Sequence, residues 1–139
     1  MSGCKMCGYD PSAEILAEWN FIVPLTLPSP NERVVNEGQS RWRYAKLRDD
    51  CRLSVMAESR RLRIPRATGR RRVVLTRFYA GRQRAMDRGN WISACKPLLD
   101  ALVLERLITG DQIDQVEDYY RQEKHEAMSA VGVRIQETR

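Results

Sequence analysis

The chain has 139 residues, a formal net charge of +6 and a sequence pI of about 9.5. That length suits one domain with a modest core, and the charge points to an anionic partner: nucleic acid, an acidic protein or a membrane surface. No apolar run approaches the ~20 residues of a membrane span and residues 1–10 lack the basic-then-apolar order of a secretory signal, so a soluble cytoplasmic protein without a membrane partner is expected.

Residues 1–20 read as an N-terminal tail and residues 21–139 as the domain. Cys4, Cys7, Cys51 and Cys95 are irregularly spaced and do not form a disulfide framework. Cys4-Lys5-Met6-Cys7 is half of a zinc site, but the only distant candidates to complete four ligands are Cys51, Cys95 and His125. A tail with exposed thiols is the simpler expectation.

Residues 21–27 read as a strand, with Pro24 placing it at a sheet edge. Pro28-Ser29-Pro30-Asn31 ends it in a turn. Residues 39–63 lack Gly and Pro and predict one long helix, with Trp42, Ala45, Leu53, Met56 and Ala57 on its core face and arginines elsewhere. Ile64-Pro65 and Ala67-Thr68-Gly69 stop it. Residues 72–79, with Val73, Val74, Leu75, Phe78 and Tyr79, predict a strand, and residues 80–88 a basic loop around Gly81. Asn90 is the expected N-cap of a second helix, in which Trp91, Ile92, Cys95, Leu98, Leu99, Leu102 and Leu107 follow a helical period, Pro97 interrupts the hydrogen bonding and Gly110 marks the end. Residues 115–124 read as a strand or a short helix. Val131, Val133 and Ile135 alternate with polar positions as a last, half-buried strand. The expected class is therefore α/β (α+β), a single small domain with a mixed sheet and two main helices.

Charge is uneven along the chain. Residues 33–88 hold 17 Lys/Arg against five Asp/Glu, whereas residues 89–139 hold six against nine. The middle of the chain therefore builds the basic surface, and Arg70, Arg71, Arg72, Arg82, Arg84 and Arg88, which flank the strand at 72–79, are the expected phosphate contacts. Trp42 and Trp91 read as core or dimer-interface residues, with stacking on unpaired bases as the alternative for Trp42. His125, the only histidine, has no Ser or Cys placed to form a dyad with it and reads as a surface or strand-end residue.

The densest chemistry follows the arginines. Asp87, Asn90, Lys96, Asp100 and Asp111 fall within 25 residues. Ser93, Lys96 and Asp100 share a polar helical stripe. Asp87 and Asp111 bracket the helix and meet only if the chain folds back or the flanking strands run side by side. Carboxylates beside a cationic surface suit metal-dependent chemistry on nucleic acid: the cations hold phosphate and the acids hold Mg²⁺.

Asp87-Arg88-Gly89-Asn90, then Lys96-Pro97-Leu98-Leu99-Asp100-Ala101-Leu102, then Gly110-Asp111, together with Leu27-Pro28-Ser29-Pro30-Asn31-Glu32-Arg33, resemble the RusA-like Holliday junction resolvases, many of them encoded by phages or prophages. The resemblance implies a Mg²⁺-dependent endonuclease that acts as a homodimer on branched (four-way) DNA in recombination and repair, in a bacterial or phage-infected cell. By the same resemblance Asp87 and Asp111 are metal ligands and Lys96 contacts the scissile phosphate. Asn90 braces the loop of Asp87, and Asp100 supports the site. Gly89 stands where the family has a second Asp, and Gly110 where the first acid of a later pair would be. Asp114 and Glu117 are the nearby acids able to substitute. A branched-DNA binder on the same fold and an unrelated basic DNA-binding regulator are the competing readings. Gly89 divides the first from the endonuclease; the ordered acid–lysine–acid spacing, and the lack of a helix-turn-helix, speak against the second.

Overall fold

A computed structural model describes residues 8–29 and 37–139. Cys4, Cys7 and the turn residues Pro30 to Arg33 lie outside them. Four strands form one mixed sheet: β1 (Ile15–Val23), β2 (Arg71–Tyr79), β3 (Val116–Lys124) and β4 (Ala130–Thr138), in the order β1-β4-β2-β3. The helices are α1 (Glu37–Arg61), α2 (Arg88–Ala94) and α3 (Lys96–Leu104). The single domain with a mixed sheet and two main helical segments expected from the sequence is what the chain forms.

β4 is antiparallel to both β1 and β2, while β2 and β3 run parallel, Arg71 opposite Val116 and Tyr79 opposite Lys124. Parallel neighbours need a crossover, and α2 and α3 supply it. Alternation along each strand sorts the side chains. Phe21, Val23, Val73, Leu75, Val131, Val133, Ile135 and Tyr120 share one face and pack in a common core with Cys51 and Val55 of α1, Trp91 of α2 and Leu98 and Leu102 of α3. Part of the opposite face is covered by the segment before β1. The Tyr9 ring meets Tyr119 edge-on at 5.1 Å, and the Arg72 guanidinium lies 4.6 Å over Tyr9. The boundary expected at residue 20 therefore falls inside β1, and residues 8–20 belong to the folded body.

Four helical expectations are corrected. α1 buries Cys51, Val55 and Ser59, with Leu47 and Leu62 partly covered, and leaves Trp42 and Leu53 68% and 58% exposed. The true core stripe has a spacing of four through small or polar residues, so it is masked by larger apolar residues on the outer side. The second helix is two. Cys95 separates α2 from α3, and Pro97 lies in the first turn of α3, where its missing N–H is tolerated. Asp87, not Asn90, caps α2, accepting from the Asn90 N–H at 3.4 Å. The end of α3 is likewise not made by Gly110. Arg106 takes the left-handed conformation (φ 58°), and the Leu107 N–H returns to the Leu102 carbonyl at 2.9 Å. Residues 115–124 resolve as strand β3, and His125 closes its end: its ring Nδ1 accepts from the N–H groups of Ala127 and Met128. No helix among the described residues is long and apolar enough to cross a membrane.

Candidate functional site

Lys96 opens α3, and Asp100 lies one turn along the same side. After α3 the chain turns at Arg106, buries Leu107 and Ile108, and swings back towards the start of the helix. Asp111 thereby returns to Lys96. The Lys96 ammonium donates to Asp111 Oδ2 at 2.8 Å and lies 3.1 Å from Asp100 Oδ1. The return loop is held at Gly110, where an added Cβ would come within 2.0 Å of Gln115 Oε1; the Gln115 amide fills that space and accepts from the Gln112 N–H. A side chain at 110 would require the Gln115 amide to move away and give up this hydrogen bond.

The hydrogen bond from Lys96, and then its charge, holds the Asp111 carboxyl below the usual carboxylate range, and Asp111 followed by Asp100 pushes the Lys96 ammonium above its usual value. All three groups remain open to solvent. Asp100 and Asp111 line a groove of about 490 Å³ between α3 and α1, whose other wall carries Arg48, Asp49 and Arg52. Arg52 also reaches Glu105 at 3.4 Å. Two arginines across a groove from two lysine-tied carboxylates are suited to holding a phosphate while keeping acids close to it.

Asp87 is presented differently. Its loop, residues 80–87, is clamped to β3 by Gln122, whose side-chain amide pairs with the Met86 backbone in both directions: Met86 N–H to Oε1 at 2.8 Å and Nε2 to the Met86 carbonyl at 2.9 Å. Arg77 donates to Gln122 Oε1 at 3.0 Å and to the Arg84 carbonyl at 2.9 Å. The bracing expected of Asn90 is thus done by Gln122 and Arg77, and Asn90 contributes its backbone N–H. Beside this clamp, Tyr120 donates to Asp118. Burial, then Asp118, pushes the Tyr120 phenol well above its usual value, and the Asp111 charge adds to the shift. Asp118 and Asp111 therefore bear on the same phenol.

The lysine joins Asp111 to Asp100, whereas Asp87, the other expected metal ligand, is engaged at the start of α2. Among the described residues no group of three or more His, Cys, Asp or Glu is close enough to share a metal ion. Asp100 and Asp111 nevertheless converge on one cationic point with hard oxygen donors. Mg²⁺ is commonly held by one or two carboxylates together with water and substrate phosphate, but here the point of convergence is filled by the Lys96 ammonium. Cys51 and Cys95 are buried in the core, and burial pushes the Cys51 thiol up to about 12, so neither serves the zinc site considered for the tail.

Two of the expected phosphate contacts are corrected. Adjacent strand residues point to opposite faces, so Arg71 and Arg72 are buried on the two sides of the sheet. Arg71 donates to Glu137 at 2.6 Å and to the Leu107 carbonyl at 2.9 Å, under Trp19 at 4.9 Å. Arg72 pairs with Glu117 at 3.2 Å and donates to the Asp10 carbonyl at 3.1 Å. Neither guanidinium is free to meet a ligand. Arg70, Arg82, Arg84 and Arg88 are exposed. The groove residues Arg48 and Arg52 were hidden among many arginines; their i,i+4 spacing on α1 is the signal that marks them. Nothing in the sequence marks Gln122, because its role is set by strand register. Searches against protein-family models and curated proteins find no match to the chain.

Proposed function

We propose that the protein is a structure-selective endonuclease of the RusA-like kind, acting on branched DNA, with the groove between α1 and α3 as its phosphate site. The observation that carries this reading is the convergence of Asp100 and Asp111 on Lys96 at the edge of a groove lined by Arg48 and Arg52. Arg48 and Arg52 bind and orient the backbone phosphate. Lys96 shares its ammonium between the two acids and the phosphate and offsets charge at the scissile bond. Asp111 and Asp100 are the groups that would hold Mg²⁺, while Asp87 caps α2 and does not group with them. When bound there, the cation supplies a water of lowered pKa and neutralises charge on the phosphate. Two opposed cuts in a four-way junction call for two copies of the site, which a two-fold homodimer provides.

A second reading, a branched-DNA binder that cuts poorly, is supported by Gly89 and by the engagement of both acids with Lys96. One experiment separates the two. The protein is incubated with a labelled four-way junction and with matched duplex, in Mg²⁺ and in EDTA. Paired nicks that need Mg²⁺ and vanish in Asp111→Asn are expected. Tight junction binding without nicks, even in Mn²⁺, would replace the endonuclease with the binder. Equal affinity for junction and duplex would overturn both.

A further inference from the structure

The outer side of α1 is the least accounted-for surface of the protein. Trp42 is 68% exposed, an unusual state for the largest apolar side chain. It is not a core residue displaced by a small rotation. At 100° per residue it lies almost opposite Cys51 and Val55, the buried stripe. Residues 41–48 hold Arg41, Arg43, Lys46 and Arg48 and no acid. Arg41, Arg43 and Arg48 make no ion pair with any described residue, and Lys46 pairs with Asp50 at 2.9 Å. A second copy seated here would bring like-charged ridges together. An apolar partner would find little else to cover, because Leu53 is eleven residues, about 16 Å, farther along, with Asp49 on the same side between them. The surface holds an exposed indole and three guanidinium groups that make no ion pair among the described residues, and one of these, Arg48, also lines the groove. A ligand with both a planar aromatic face and a phosphate backbone matches it.

We propose that Trp42, flanked by Arg41, Arg43 and Arg48, is a stacking platform for unpaired nucleotide bases. It rests on the nucleic-acid reading above and adds what that reading lacks, a feature that distinguishes open or unstacked strands from continuous duplex.

Tryptophan fluorescence and anisotropy test it on the full chain. Trp91 is buried and Trp19 lies beneath Arg71, so quenching by an oligo-dT strand reports chiefly on Trp42. Saturable quenching is expected, absent in Trp42→Phe. Affinity for oligo-dT should fall about 5- to 100-fold in Trp42→Ala, with Trp42→Phe retaining most of it. Binding to continuous duplex should change less than about twofold, and the slope of log K against log salt should stay the same, because every phosphate stays bound as in the parent. Thermal melts of both variants should match the parent, since the side chain is exposed. Equal losses on single strand and duplex, or unchanged oligo-dT affinity in Trp42→Ala, would overturn the platform while leaving the groove reading in place. Failure of the parent protein to bind any DNA would overturn both.

Discussion

Position 89 is where chemistry and backbone can be separated. Gly89 lies in the first turn of α2 without a positive φ, and an added Cβ would sit 3.4 Å from Asp87 Oδ2, an ordinary contact. An acid is therefore sterically admissible, and near a helix N-terminus it gains about 0.3–1 kcal/mol, offset in part by the Asp87 charge. Gly89→Asp is expected to fold as well as the parent, to raise the Mg²⁺-dependent increase in melting temperature, and to speed junction nicking by roughly tenfold, ~1.4 kcal/mol in the barrier. Unchanged nicking with no added Mg²⁺ shift would leave position 89 without a part in metal binding. The Lys96–Asp111 pair sets a different, pH-dependent expectation. Lys96 holds Asp111 below its ordinary 3.8, so that contribution is present above pH ~4 and is lost as pH falls through the lowered value. Lys96 is raised above its ordinary 10.5, so its share is present below that and lost only in stronger base. The pair is intact from about pH 4 to 10. Because it is solvent-exposed, Asp111→Asn should cost less than ~1 kcal/mol at neutral pH. In urea denaturation the gap between parent and variant should close near pH 3 or below; a gap that persists there would assign the difference to packing instead.

Among the elements, the loop of residues 80–87 depends on a strand it does not belong to. Gln122 ties Met86 to β3 through two hydrogen bonds and is itself held by Arg77. Gln122→Ala removes these hydrogen bonds, a cost of about 1–3 kcal/mol, while Arg77 keeps the Arg84 carbonyl. Trypsin should then cut the chain faster at Arg82 and Arg84, read as fragments by mass spectrometry, and Asp87 should lose its fixed place at the start of α2. Cleavage no faster than in the parent would mean that the loop is held elsewhere. The strands were legible because Val73, Val74 and Leu75, or Val131, Val133 and Ile135, carry a clear β signature; an interruption near Pro97 followed from its missing N–H, although the helices divide at Cys95 and not at the proline. The buried face of α1 was not legible. Its apolar residues point several ways, and only the docking against α3 chooses Cys51 and Val55 over Trp42 and Leu53. The cap at Asp87 and the turn at Arg106 were missed for a related reason: Asp and Asn cap equally well by type, and glycine is the better residue for a left-handed turn, so tertiary geometry made both choices.

For the whole molecule, a count of arginines says little until the sheet sorts them. Lys96, Asp100 and Asp111 were named from the sequence and meet in space, but sequence spacing could not show that the return loop brings Asp111, rather than Asp87, to Lys96. Arg71 and Arg72 looked like one basic run and are divided between two faces of the sheet, each with its own acid. Arg48 and Arg52, distant from that run, face the site. The two groups should therefore part experimentally. Arg71→Met strips a buried guanidinium from Glu137 and the Leu107 carbonyl. The cost should be about 2–4 kcal/mol of stability, less than for a fully enclosed pair because Glu137 can recover water. Any DNA affinity it loses should track the unfolded fraction and leave the salt dependence as it was. The double variant Arg48→Ala/Arg52→Ala should melt close to the parent, since an exposed ion pair with Glu105 contributes at most ~1 kcal/mol. It should lower the slope of log K against log salt by about 2, one for each phosphate no longer held. Paired measurements of urea denaturation and salt-dependent anisotropy decide the matter. A slope unchanged in the double variant, or reduced in folded Arg71→Met, would move the phosphate path off the groove between α1 and α3.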